Sequence, residues 1–324
     1  MDWNGQNQRE NQRPTDFDRD EPTSTKDVRF IGQLFAKYLN ERKRTRRWGI
    51  FFKTILVFYL GILIVNLSGI EIPTGTFSKG RIAALIDVAG VIESDGEASA
   101  ENILLGLDEA FRHPKTVGVI IRLNTPGGSP VQSGQVYDGI LSLKTEFPNI
   151  PVVALIEDIC ASGGYYVAVA ADQIFANKAS IVGSIGVRMD SFGLAEAIKK
   201  MGVERRSIVA GENKDFLDPF KPIDKKHRLH AEAMLQEIHE QFKDVVRVSR
   251  SGKLQSTDAN ALFSGLVWTG ERSVQLGLVD ELGSLKHIVH EVLQADAVVS
   301  FTKVDYSIEG IFSKVVFSLY SRFR

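Results

Sequence analysis

The chain has 324 residues, 44% hydrophobic and 24% charged, enough for a sizeable core in one large domain or two small ones. Its formal net charge of −1 excludes a generic nucleic-acid binder. A single cysteine, Cys160, excludes an intramolecular disulfide.

Residues 1–48 are polar, rich in Asn, Gln, Asp and Arg, and read as a largely disordered cytoplasmic tail. The tail closes in "ERKRTRRW", with Arg42, Lys43, Arg44, Arg46 and Arg47 almost consecutive. Residues 49–70, "GIFFKTILVFYLGILIVNLSGI", are apolar apart from Lys53, Thr54, Asn66 and Ser68. A run of about 20 apolar residues matches the hydrocarbon thickness of a bilayer. Lys53 can snorkel to the headgroups and Trp48 stands at interfacial level. The preceding polar region is too long for a cleaved signal peptide, and no A-x-A site follows. The basic flank places the N-terminus in the cytoplasm and everything after residue 70 outside. The sequence therefore predicts a single-pass anchor over 49–70, followed by a linker at 71–80.

Residues 81–300 alternate strand and helix signals. "IAALIDVAGVI" is a β-branched apolar run, and "SAENILLGLDEAFRH" spaces Ile103, Leu104, Leu107 and Phe111 as a helix does. "VGVIIRL" predicts a strand, 131–145 a helix, "VVALIE" a strand and 162–171 a helix. "DQIFA" and "IVGSIGV" predict two more strands. Continuous apolar strands separated by helices imply an α/β domain whose parallel sheet is covered on both faces. Residues 224–250 form a long amphipathic helix with Ala231, Met234, Leu235, Ile238, Phe242, Val245 and Val246 on one stripe. In the terminal segment, 301–324, Ile308, Ile311, Phe312, Val315, Leu319 and Phe323 share a face opposite Lys314, Arg322 and Arg324. Packing on the domain, on a neighbouring subunit or on a membrane surface all suit that face.

Three glycine-rich turns have the composition of a site. "NTPGGS" follows the strand "VGVIIRL", and Gly127 and Gly128 bring bare backbone N–H groups to its carboxyl end, where open α/β sheets bind ligands. "ASGGYY" closes another strand and sets Ser162 at the start of the next helix. A serine there is often only an N-cap, but two Gly-Gly turns at two strand ends exceed what a cap needs. "VGSIGV" supplies Ser184. Two backbone donors aimed at one point are what a tetrahedral acyl intermediate requires. Cys160, a lone cysteine closing an apolar strand, reads as a small core residue rather than a nucleophile.

A nucleophilic serine needs a base. His113, His227, His230, His239, His287 and His290 all lie outside the Gly-rich turns, most in charged helical stretches that read as solvated, and the G-x-S-x-G elbow is absent. The remaining candidate is Lys214, in the loop "VAGENKDFLDPFKP". A lysine serves as a base only where burial depresses its proton affinity, and a hydroxyl such as that of Ser184 can then orient the amine.

"NTPGGS", "ASGGYYVAVAADQIFAN", "IVGSIGV", "GENKDFLDPF" and "WTGERSVQLGLVDELG" occur in the order found in signal peptide peptidase A, the short membrane-anchored bacterial form, which the chain resembles over roughly 80–295. The resemblance implies a crotonase- or Clp-protease-like α/β fold and a Ser/Lys dyad. It places Ser162 as nucleophile, Lys214 as general base and Ser184 as the hydroxyl that assists the lysine. Gly128 and Gly163 then supply the oxyanion donors. It further implies a homo-oligomeric ring on the bacterial inner membrane, with sites completed across subunits and the peptidase domain outside. Its substrates would be cleaved signal peptides and other apolar peptides, with no metal, nucleotide or other cofactor. Leu266 stands where relatives often carry a basic residue.

Three alternatives remain at this level. A stomatin-operon membrane protease shares the dyad but usually adds spans after the protease domain, and no such run follows here. A crotonase-type acyl-CoA enzyme would use the same paired N–H groups on a thioester enolate. An inactive scaffold would bind peptides without cutting them.

Overall fold

A computed structural model describes residues 30, 48–61, 80–255 and 259–303. The chain divides into two units, Met1–Ile72 with Ile308–Arg324, and Pro73–Ser307. In the first, residues 48–61 form helix α1, whose apolar side chains, Phe51, Leu56 and Phe58 among them, are exposed. Among the described residues no helix is long and apolar enough to cross a membrane. The helix expected over 49–70 is described only to residue 61. Its remainder, most of the linker and nearly all of the terminal segment lie outside the described residues.

The second unit is built on an eight-stranded sheet of order β6-β5-β3-β2-β1-β8, with β4 pairing β3 and β7. The strands are β1 (Ile82–Ala89), β2 (Thr116–Thr125), β3 (Val152–Ala161), β4 (Gln173–Ala176), β5 (Ile181–Gly183), β6 (Val267–Thr269), β7 (Glu281–Leu282) and β8 (Ala297–Ser300). All pairings are parallel except β5 with β6. Alternate residues of each long strand enter separate cores. Ile86, Ile121 and Ala154 join one, while Leu85, Ile120 and Val153 join the other. Period-two alternation between two dry faces is why these strands read as unbroken apolar runs. Each fully buried Ile or Leu contributes about 1.5–3 kcal/mol.

Helices α2 (Ala100–Arg112) and α3 (Pro130–Glu146) cover the first face with Ile103, Leu107, Phe111, Val136 and Ile140. Both begin on a serine whose hydroxyl accepts from a backbone N–H three positions on, Ser99 from Asn102 and Ser129 from Gln132. Ile288, Val289 and Leu293 cover the second face. Four short helices, α4 (Gly163–Ala168), α5 (Ala195–Lys200), α7 (Ala259–Leu262) and α8 (Gly270–Leu276), lie among the connections, and α9 (Leu285–His287) leads into a π-helical turn at Ile288–Val292.

The long helix α6 (Lys225–Ser249) matches its predicted span and is capped by Asp224, which accepts from Lys226 N–H. It buries Ala231, Phe242 and Val246 and ends on Arg250. That guanidinium is buried, donates to both carboxylate oxygens of Asp280 at 2.8 and 3.1 Å, and reaches the Gly277 carbonyl at 2.9 Å. Burial pushes the Asp280 carboxyl up, but Arg250 and Lys253 more than offset this and hold it below the usual carboxylate range. One buried ion pair thus fixes the end of α6 to the segment leading into β7.

Two expected elements are shorter. The strand in "IVGSIGV" stops at Gly183 because Gly183 (φ 113°) and Ser184 (φ 51°) turn the chain out of the sheet. The helix after Ser162 ends at Ala168, where Ala170 and Ala171 N–H bond to carbonyls only three residues back.

Candidate active site

Strand β3 creates the site by splitting its pairing. Val153–Ile156 pair with β4, whereas Ile159–Ala161 pair with β5. Against β2, Leu123 stands opposite Ile156 but Thr125 stands opposite Cys160, so β3 carries extra residues between them. Extra residues bend a strand, and the bend delivers Ala161 beside Gly183. Cys160 is wholly buried there, its thiol pushed up by desolvation, as a core residue should be.

Ser162 occupies the turn from β3 into α4 with φ 52° and ψ −122°, a conformation that costs a non-glycine residue about 1–3 kcal/mol. Two backbone bonds hold it. Its N–H donates to the Gly183 carbonyl at 2.8 Å, and its carbonyl accepts from Tyr166 N–H at 3.0 Å. Its hydroxyl makes no capping bond, so the side chain is free for other work. The G-x-S-x-G pattern is missing, yet the strained strand-to-helix turn that such a motif builds is present.

The first glycine turn packs directly on this one. A Cβ at Gly127 (φ 101°) would lie 2.6 Å from the Ala161 carbonyl and 2.8 Å from Ser162 Cβ. Thr125 Oγ1 accepts from Gly127 N–H at 3.0 Å and fixes the turn. A Cβ at Gly163 would lie 3.2 Å from Gly128 N, so the two glycines adjoin. Neither amide N–H, of Gly128 or of Gly163, has an acceptor among the described residues. Gly128, Gly163, Ser162 and Ser184 border one cavity of about 750 Å³. Val91, Tyr166, Val187, Ile238 and Phe242 supply apolar walls. That size and lining suit an apolar side chain with its backbone at the polar edge. Ser184 (φ 51°) is held by its N–H to the Leu266 carbonyl at 2.8 Å, so residue 266 acts here through its main chain.

Ser133 was not legible as a site residue. It sits one turn into α3, fully buried, and its Oγ has no hydrogen-bond partner. A Cβ at position 163 would come within 2.4 Å of that Oγ, so any side chain after Ser162 would have to displace the Ser133 hydroxyl. The two glycines should respond differently to alanine. At Gly128 (φ 156°) the new Cβ would meet the Ile92 carbonyl at 2.1 Å, and backbone cannot step aside. Gly128→Ala should lose about 3 kcal/mol or more of stability in thermal or urea denaturation. At Gly163 the obstacle is a side-chain hydroxyl, so Gly163→Ala should fold, with turnover reduced about 100-fold or more as the amide shifts.

Lys214 lies elsewhere in the single chain. It is exposed in a turn where its N–H bonds to the Gly211 carbonyl at 3.1 Å, and it is not among the residues bordering the cavity. Neighbouring acids are engaged by other lysines, Asp215 by Lys221 at 2.6 Å and Glu212 by Lys226 at 2.7 Å. Among the described residues no hydrogen bond or ion pair reaches the Lys214 amine. Phe216 packs against the rings of His227 and His230 and docks the turn on α6. The structure therefore unites Ser162, Ser184, Gly128 and Gly163 and leaves Lys214 outside the group. Several histidines are engaged rather than merely solvated: His113 and His287 also stack on phenylalanines, and His239 meets the Ile185 carbonyl.

Comparison with known proteins adds three relatives and one family. A family model described as peptidase family S49 matches residues 145–299, a span that includes Ser162, Ser184 and Lys214. A putative protease of Synechocystis is 31% identical over 212 residues, covering 65% of this chain and 73% of that protein. A putative signal peptide peptidase SppA of Enterococcus faecium is 26% identical over 248 residues, covering 73% and 71% respectively. A Brucella abortus protein named Na(+)/H(+) antiporter NhaA is 41% identical over 230 residues, 71% of this chain but only 29% of that protein. The chain thus spans less than a third of the Brucella protein's length.

Proposed function

Because the chain belongs to peptidase family S49, with relatives of the signal peptide peptidase A type, we propose that it is a serine endopeptidase cutting apolar peptides, cleaved signal peptides among them, through an acyl-enzyme on Ser162. The observation that carries this reading is the strained turn at Ser162, a residue that makes no capping bond and borders one cavity together with Gly128 and Gly163, whose amides have no acceptor among the described residues.

Ser162 Oγ attacks the scissile carbonyl and its proton passes to the amine of Lys214, which Ser184 orients. The carbonyl oxygen becomes an oxyanion between the N–H groups of Gly128 and Gly163, each donor supplying about 3–4 kcal/mol. Collapse breaks the C–N bond, and the lysine returns the proton to the leaving amine. Water, activated by the same amine, then releases the acyl group as a carboxylate and restores Ser162. Lys214 meets Ser162 across a subunit boundary in a homo-oligomeric ring, and the exposed position of Lys214 in the single chain supports that arrangement. Residues 49–70 anchor the chain in the inner membrane with the N-terminus in the cytoplasm and the peptidase unit outside. The apolar run and its basic flank support that placement.

A fluorophosphonate probe followed by peptide mapping tests this reading. A single adduct on Ser162 is expected. An adduct on another serine, or none while apolar peptides are being hydrolysed, would overturn it.

A further inference from the structure

Ser184 stands in a left-handed turn, which costs a non-glycine residue about 1–2 kcal/mol and persists only where its surroundings hold it. Residues 185–194 after it form neither helix nor strand. Backbone bonds secure the start of this strap through the Gly183 carbonyl and Ser184 N–H, each at 2.8 Å. The next tie is a side chain. His239 Nε2 lies 3.1 Å from the carbonyl oxygen of Ile185, whose own side chain is fully buried. A carbonyl only accepts, so Nε2 carries the hydrogen. His239 sits on the stretch of α6 where Ile238, Gln241 and Phe242 border the cavity, and Gly186, Val187 and Arg188 border it from the strap.

We propose that His239 is a positioning residue for catalysis: by donating Nε2–H to Ile185 it fixes Ser184 and the cavity wall after it relative to Ser162. The proposal rests on the reading that Ser162 and Ser184 carry the chemistry. His239 itself neither touches substrate nor moves a proton. It joins α6 to a segment with no helix or strand of its own, whose next backbone tie after Ser184 is the Leu194 N–H to the Pro219 carbonyl at 2.6 Å. Misplacement of a catalytic group by about 1 Å can cost about 100-fold in rate.

The test is steady-state hydrolysis of a fluorogenic apolar peptide by the full-length assembled protein. Ser162→Ala, His239→Ala, His239→Gln and His239→Asn are compared, each checked by circular dichroism and thermal melting. His239→Ala should lower kcat about 10- to 100-fold with KM changed far less. Glutamine carries its amide nitrogen to the position of Nε2 and should restore most of the rate. Asparagine reaches only as far as Nδ1 and should not. Wild-type kcat in His239→Ala beside an inactive Ser162→Ala overturns this inference and leaves the peptidase reading standing. Equal losses in folded glutamine and alanine variants also overturn it, because the ring rather than its donor would then matter. Should His239→Ala fail to fold, the glutamine and asparagine variants decide between the same outcomes. Full activity in Ser162→Ala overturns both readings together.

Discussion

Ser162→Ala will leave a folded, assembled protein whose hydrolysis of apolar peptides has fallen by about 10⁴-fold or more. The fold should barely notice. The Ser162 hydroxyl makes no capping bond, and both backbone bonds at that position, to Gly183 and from Tyr166, survive the change. Alanine tolerates φ 52° about as poorly as serine, so stability should move by less than about 1 kcal/mol. Chemistry, in contrast, loses the atom proposed to form the acyl bond. The amides of Gly128 and Gly163 remain and keep a residual rate above water, as donors do when a nucleophile is removed elsewhere. Rates measured on one fluorogenic peptide, with melting curves on the same preparations, separate the two effects. A rate within tenfold of wild type would show that another group attacks.

Lys214→Ala should cost about 10²–10⁴-fold, the range of a positioned general base, with little change in melting temperature. Its amine has no hydrogen bond or ion pair among the described residues, so truncation removes no interaction of the single chain. The turn stays docked through Phe216 on His227 and His230 and through the Lys221–Asp215 and Lys226–Glu212 pairs. An amine works as a base where water is excluded from it. Position 214 is exposed in one chain, so the proposed base role requires shelter from a neighbouring chain that also presents its Ser162. A large loss of activity from a residue outside the cavity of its own chain is the signature of a shared site.

Much of this was legible in the sequence, for identifiable reasons. Strands β1, β2 and β3 are buried on both faces and run eight to ten residues, so their apolar signal is continuous. The two Gly-Gly turns stood out because a Cβ at Gly127 or Gly128 would strike backbone, and one at Gly163 would crowd the Ser133 hydroxyl. Strands β6, β7 and β8, two to four residues long, are too short to show a period. The divided pairing of β3 depends on partners 20 and 22 residues further along the chain and leaves no local mark. Ser133 is an ordinary helix serine until α3 is packed against Gly163. His239 looked solvated because its partner is a main-chain carbonyl 54 residues away, and no side-chain pattern records such a bond. The absence of Lys214 from the residues bordering the cavity was equally invisible, because a loop lysine reads the same whichever surface it occupies.

Co-expression of Ser162→Ala and Lys214→Ala chains, followed by isolation of the mixed assembly, tests the shared site most directly. In a head-to-tail ring formed at random from equal amounts, about one interface in four joins an intact serine to an intact lysine. The mixture should therefore hydrolyse the peptide at about a quarter of the wild-type rate, while each variant alone is inactive. A mixed assembly as inactive as its parents, or Lys214→Ala as active as wild type, would contradict a Ser162–Lys214 pair formed between neighbours.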